Sequence, residues 1–266
     1  MRHKFLAILV LLLVSCATEP QDYESEPNIC VILSTEHGDF EPWESRATVG
    51  RTVVVGDTVP VDTIREGEYY SFPWVGISGA EVILSNNDTT VILDETSDQG
   101  YYKLYPLYNY SLFVPEAIWE LEVNYPGWPE LHAGTRFPED FEITHPPGDT
   151  FFWGDSIVWS ASEGAKGYGL WYTYQKSGIW WQYFTGPLES ARRSKVIPPR
   201  DYDEIVFRVA ALDTNLYDYL YCGWNFFEID DPRDWMHIEG AWGVFGAQTV
   251  VSRSYVFSPQ DSLAGN

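Results

Sequence analysis

Beyond its first residues, this chain is a succession of short β-branched and aromatic segments, interrupted every few positions by Gly, Pro, Asn or Asp. None of them sustains a helical period over three turns. That pattern points to an all-β chain. Its 45% hydrophobic and 17% aromatic fractions, with 12 Trp, 18 Tyr and 14 Phe, supply the apolar area that packed sheets need. Strand-length segments at this spacing imply sandwiches of paired sheets, and 266 residues hold two of ordinary size.

The amino terminus is the exception. Arg2 and Lys4 precede an uninterrupted apolar run from Phe5 to Val14. Ten residues are too few to cross a hydrocarbon layer of about 30 Å, so the run reads as the core of a signal peptide covering residues 1–15. It ends in Leu13-Val14-Ser15-Cys16, which resembles a bacterial lipobox: apolar residues, a small residue, then the Cys whose thiol receives diacylglycerol before cleavage on its amino side. The expectation is a palmitate-bearing lipoprotein anchored through Cys16, with the lipid as its membrane attachment. The next residues, to position 28, are polar, acidic and proline-containing, and read as a flexible tether.

Charge then narrows the partners. The chain carries 39 acidic against 16 basic residues, a formal −23; removal of Arg2 and Lys4 with the signal leaves −25. Binding nucleic acid requires clustered cations to neutralise phosphates, so that class is excluded. With Cys16 carrying lipid, Cys30 and Cys222 remain in an oxidising compartment, either as a disulfide or as two buried thiols. Neither has a neighbour at zinc-site or CxxC spacing.

Candidate strands in the first half are 29–34, 48–55, 68–74, 80–84, 89–94, 101–104, 111–114, 119–125 and 131–137. The run Ser85-Asn86-Asn87-Asp88 should close a hairpin between the fourth and fifth of these. Prolines 138, 146 and 147 with Gly148 place a boundary near residue 139, dividing a first domain of residues 29–138 from a second of 139–266. The second half offers strands at 141–144, 156–160, 168–174, 179–184, 194–197, 204–212, 217–223 and 250–257. Asp231-Pro232-Arg233-Asp234 should start a one-turn helix capped by Asp231.

Two local patterns resemble domain families. Ile77-Ser78-Gly79-Ala80-Glu81-Val82-Ile83-Leu84, followed by Gly100-Tyr101-Tyr102-Lys103-Leu104, is similar to the carboxypeptidase-regulatory or transthyretin-like sandwich. Ile157-Val158-Trp159, Gly167-Tyr168-Gly169-Leu170-Trp171-Tyr172 and Glu204 to Asp213 resemble three strands of a fibronectin type III domain, with Trp159 and Tyr168 as core residues on opposing sheets. Ile205 stands where that family places its corner tyrosine. With the lipobox and the run Ile238 to Ala247, the whole resembles a two-domain surface lipoprotein family of Bacteroidota, encoded beside TonB-dependent outer-membrane receptors. The resemblance implies an outer-membrane location and an accessory role, and brings no catalytic residues.

The chemistry-bearing residues fit that picture. The histidines are His3, His37, His132, His145 and His237, with no HExxH pair; GxSxG, phosphate-loop and dinucleotide fingerprints are missing. The expectation is therefore no enzyme, no cofactor and no metal site. Acid clusters at Asp201, Asp203 and Glu204, and at Glu228, Asp230, Asp231 and Asp234, suit solvated loops or Ca²⁺. The aromatic hairpin around Trp171, Trp180, Trp181 and Tyr183 is the candidate binding surface, because exposed rings in a row meet protein partners or sugar faces. Contact with an outer-membrane receptor or other envelope protein is the leading expectation. A polysaccharide-binding lipoprotein is the first alternative, and a carboxylate-dependent hydrolase the second.

Overall fold

The computed structural model describes residues 25–36, 46–52, 74–104, 107, 111–152, 155–176, 179–189, 193–195, 204–224 and 231–258. Cys16, the expected signal and most of the tether, the expected strand at 68–73, Asp201, Asp203, Glu228 and Asp230 lie outside them.

The strands are β1 (Pro27–Ser34), β2 (Arg46–Thr52), β3 (Trp74–Gly76), β4 (Glu81–Ser85), β5 (Thr90–Ile92), β6 (Tyr101–Tyr102), β7 (Ile118–Asn124), β8 (Leu131–Arg136), β9 (Ile143–His145), β10 (Thr150–Phe152), β11 (Ser156–Trp159), β12 (Gly167–Lys176), β13 (Ile179–Glu189), β14 (Arg193–Lys195), β15 (Glu204–Leu212) and β16 (Trp242–Ser258); a helix, α1 (Thr214–Trp224), and a 3-10 turn, Pro232–Trp235, precede β16. Nine strands form one large sheet, along which the order is β13-β12-β15-β16-β1-β2-β3, with β10 on β16 and β6 on β2. Two smaller sheets, β5-β4-β7-β8 and β14-β11-β9, complete the set.

Alternation along the strands assigns the layers. Ile29, Val31 and Leu33 of β1 and Phe245 and Ala247 of β16 join Val82, Leu84, Trp119, Leu121 and Val123 of the β5-β4-β7-β8 sheet in a first core. Tyr168, Leu170, Tyr172 and Tyr174 of β12, Ile205, Phe207 and Val209 of β15, and Tyr255 of β16 join Ile143, Ile157 and Trp159 in a second. The all-β class and the sandwich architecture are as the sequence implies, while Ile238, Phe245 and Ala247, from the half expected to form the second sandwich, enter the first core. Trp159 and Tyr168 face each other across the second core with ring centroids 5.7 Å apart. There the three-stranded sheet lies against β13, β12, β15 and the far half of β16, the seven-strand arrangement of an immunoglobulin- or fibronectin-type sandwich.

The sandwiches share their large sheet. Over β16, residues 242–248 run parallel to β1, while residues 248–256 run antiparallel to β15. One 17-residue strand thus lines both cores.

The opposite face of the large sheet is covered by α1, where sequence reasoning expects a strand over 217–223. Cys30, Ile32, Trp171, Ala210, Leu212 and Val244 pack against Leu216, Tyr217 and Tyr219 of this helix. Tyr and Cys favour strands, but here Asp213 starts a helix: its Oδ1 accepts from Leu216 N–H at 2.8 Å, and its carbonyl accepts from Tyr217 N–H at 3.0 Å. The expected strand at 111–114 is also absent. Ser111 turns with φ 49°, and Phe113 inserts its ring between Trp119 and Phe137 without joining a ladder. Cys30 and Cys222 are two buried thiols.

Other local readings hold. Asn86 accepts from Asp88 N–H and Thr89 N–H at 2.9 and 2.8 Å, closing the β4–β5 hairpin. Asp231 caps the 3-10 turn by accepting from Arg233 N–H. The two pieces of the transthyretin-like pattern are tied by a residue that sequence reasoning does not single out. Glu95 accepts from Gly100 N–H at 2.9 Å and Gly79 N–H at 3.0 Å. The bond from Gly100, more than any other cause, holds its carboxyl below the ordinary value.

The helix lies so close to the sheet that one residue of β16 has to be glycine. A methyl group at Gly246 would lie 2.7 Å from Leu216 Cβ and 2.8 Å from Leu216 N. Gly246→Ala is expected to lower stability by about 1–3 kcal/mol. Gly134→Ala, where a methyl group meets nothing within 4 Å, should change it by less than about 0.5 kcal/mol. Thermal unfolding of the two variants checks this.

Candidate functional site

The densest polar arrangement lies where α1 meets both sandwiches. Asp213, between β15 and α1, is 5% exposed. Its N–H donates to Ala247 O of β16 at 3.0 Å, and its Oδ2 accepts from Thr135 Oγ1 of β8. Two residues on, Asn215 Nδ2 donates to Gly134 O of β8 at 2.8 Å and to Phe245 O of β16 at 2.9 Å. The start of the helix thus pins the small sheet of the first sandwich to the shared strand. Burial raises the Asp213 carboxyl to about 6, against the opposing pull of its Thr135, Leu216 and Ala247 bonds and of His237.

One turn further, Asp218 is also buried and holds two partners, a lysine ammonium and an imidazole. Lys166 Nζ donates to its Oδ1, and His237 Nε2 lies 2.9 Å from its Oδ2. Lys166 comes from the turn before β12, and His237 from the segment after the 3-10 turn, so one carboxylate ties both to the helix. Rings close over the pair: Tyr217 stacks on Tyr221 at 5.9 Å and Tyr221 on Trp235 at 5.2 Å. The Lys166 ammonium stands 5.6 Å from the Tyr217 ring centre and 6.0 Å from that of Trp235.

A carboxylate-held imidazole is also the geometry of acid–base catalysis. Here Lys166 meets the carboxylate and not the imidazole, so Asp218 cross-links Lys166 and His237 to the helix. The ring faces of Tyr217, Tyr221 and Trp235 are turned on one another and on Lys166. Asp213, Asp218 and the aromatic stack escaped sequence reasoning because that stretch read as strand. The signal that finds them is Asp213 ahead of the i, i+4 pairs Leu216/Leu220 and Tyr217/Tyr221.

The sequence-derived binding residues separate. Trp171 is 4% exposed and packs under α1, with its indole N–H buried and, among the described residues, without a hydrogen-bond partner. It is a packing residue, not a surface one. The side chains of Trp180, Trp181 and Tyr183 lie outside the described residues; the backbone register sets these three opposite Gln175, Tyr174 and Tyr172.

A second polar group fastens the start of β1. β1 begins at Pro27, inside the segment expected to be tether, and Glu26 just before it accepts from Arg233 through both carboxylate oxygens at 2.9 Å. The same carboxylate accepts from Trp242 Nε1, and the Arg233 guanidinium lies 5.1 Å from the Trp242 ring centre. Thr52 N–H donates to Glu26 O at 2.8 Å, and Glu26 N–H donates to the Thr52 hydroxyl oxygen at 2.9 Å. Among the described residues, no helix is long and apolar enough to cross a membrane.

No protein-family model matches this chain, and no curated protein matches it significantly. Among solved structures it is similar to the FN1–FN3 domains of chicken CNTN1, at 12% identity and a TM-score of 0.27, over 71% of this chain and 59% of that one. The chain thus spans less than two thirds of that structure's length. The fibronectin-type character of the second sandwich rests on its own strand order and register.

The raised Asp213 carboxyl has a definite sign in stability. A folded-state value near 6, above the ordinary 3.8, contributes stability that is full below about pH 4 and lost as pH rises through 6. Asp213→Asn keeps an acceptor for Leu216 N–H, and the Thr135 hydroxyl can turn to accept from the new amide. Between pH 5 and 8 the wild-type chain should lose about 1 kcal/mol relative to Asp213→Asn, measured by urea unfolding of both proteins across that range.

Proposed function

We propose that this chain is a lipid-anchored accessory protein of the cell envelope, held at the outer membrane through Cys16, that binds an envelope partner and performs no catalysis. The observation that carries the binding half is β13. Its eleven residues, Ile179–Glu189, form the end of the large sheet and, among the described residues, pair only with β12. Proteins blunt exposed edges with charges, prolines and bulges; here Pro187 and the register shift fall between Thr185 and Leu188, leaving Ile179 to Phe184 without such a device. This edge reads Ile-Trp-Trp-Gln-Tyr-Phe-Thr-Gly-Pro-Leu-Glu, with its first charge at the last residue. A long, uncharged, aromatic edge suits a partner that adds a strand or lays an apolar surface along it.

The anchoring half rests on the lipobox-like Leu13-Val14-Ser15-Cys16 and on the Glu26 clamp, which gives the intervening segment a fixed point to end on. With the resemblance to the Bacteroidota two-domain lipoproteins, this supports contact with an outer-membrane receptor such as a TonB-dependent one. A polysaccharide is the alternative occupant of the same aromatic edge.

Cys16→Ser should abolish incorporation of labelled palmitate and move the protein from the membrane to the soluble fraction; retention in the membrane would sink the anchoring half. Cross-linking in cells should join the native protein to an outer-membrane receptor, with Trp181→Ala weakening the adduct about tenfold. An unchanged adduct in that variant, or saturable tryptophan quenching by a glycan without any adduct, would overturn the receptor reading.

A further inference from the structure

The outward face of the β5-β4-β7-β8 sheet carries a group of a different kind. Glu122 of β7 and His132 of β8 are directly opposed in the antiparallel register. Glu130 stands two residues before His132. One donor atom from each of the three lies within 4.8 Å of the others. His132 Nε2 and Glu130 Oε1 are 2.9 Å apart, and Asn124 Nδ2 donates to Glu122 Oε1 at 2.8 Å, orienting that carboxylate.

We infer that Glu122, Glu130 and His132 form a binding site for a divalent cation of the Zn²⁺ class. Two ligands about 2.1 Å from a tetrahedral ion stand about 3.4 Å apart. His132 and Glu130 are exposed, with side-chain accessibilities of 63% and 49%, so small rotations bring the donors to that spacing. The backbone beneath them is fixed. Leu131 lies between the two β8-side ligands, pairs with Val123, and both of these side chains are buried in the first core. Ligands mounted on a packed ladder start near the geometry the ion requires.

The donor set separates this group from an ordinary acidic patch. An imidazole nitrogen beside two carboxylates is a combination that zinc, cobalt and nickel accept, whereas Ca²⁺ and Mg²⁺ take oxygen ligands alone. The field agrees. Glu81, opposite Asn124, and Glu120, opposite Gly134, flank the group on the same face, and Arg136 sits at its far end opposite Ile118. Three protein ligands leave the remaining positions to water, so the site is open to exchange.

The test is calorimetric titration of Zn²⁺ into tag-free, chelator-stripped full-length protein. One equivalent should bind with micromolar affinity. His132→Ala and Glu122→Gln should each weaken binding about tenfold or more, Asn124→Ala by less, and His145→Ala not at all. All three positions of the weakening variants lie on the outward face, and circular dichroism establishes that each variant folds. Binding should persist in about 1 mM Ca²⁺. Absence of stoichiometric binding, affinity unchanged in His132→Ala, or displacement by Ca²⁺ would overturn the assignment and leave a surface Glu130–His132 contact.

Discussion

The structure depends on a single strand satisfying two cores at once. From Phe245 onward, the odd-numbered side chains of β16 face the small sheets: Phe245 and Ala247 enter the first core, Val251 and Tyr255 the second. The even-numbered Val244 and Val250 face α1. Because strand parity is strict, a one-residue slip would turn both sets to the wrong layer together. At the changeover Thr249 donates to Pro138 O, so the segment linking the two small sheets is fastened to the strand that serves both. Beyond it, Arg253 donates to the carbonyls of Ile143, Pro147 and Gly148. The second small sheet is thereby seated on the same strand.

The helix side shows how such a junction is held. Asp213 and Asn215 between them bind both carbonyl and hydroxyl groups of β8 and β16, at a point where burial disfavours charge. Asp213 still carries bonds from Leu216 and Thr135, and these explain why a carboxylate is tolerated there at all. Asp218 then draws in Lys166 and His237 from segments far apart in sequence. Polar groups specify where the helix sits, and the apolar contacts of Leu216 and Tyr217 against β1, β12, β15 and β16 supply the attraction.

Local patterning made much of this legible. Glu204 to Leu212 alternates as an inner strand should, the Asn86 turn closes its hairpin, and Asp231-Pro232 starts a helical turn. What escaped is what local patterning does not encode. Tyr217, Tyr219 and Tyr221 favour a strand locally, and the Asp213 cap together with the sheet beneath, where glycine at 246 gives room for Leu216, favours the helix. The parallel pairing of β1 with β16 joins residues more than 200 positions apart, which no short-range signal announces. Trp171 reads as a surface ring by composition. Its place under α1 follows from a helix the sequence reading did not contain.

Sharing a sheet also bears on what anchoring can accomplish. Two sandwiches joined by a linker would reorient freely, the ordinary condition of adjacent domains with a small interface. Here β1, where the Glu26 clamp fixes the entering chain, and β13, the aromatic edge, belong to one hydrogen-bonded sheet with β16, β15 and β12 between them. Four strand spacings amount to about 19 Å. In the proposed anchoring, the residues between Cys16 and Glu26 reach at most about 35 Å, so the lipid limits how far the clamp can stand from the membrane. The continuous sheet holds the edge at a set distance from the clamp, whereas a freely jointed pair would let that distance vary. The merging of the two sandwiches is the feature that sets the aromatic edge at a fixed place relative to the clamp.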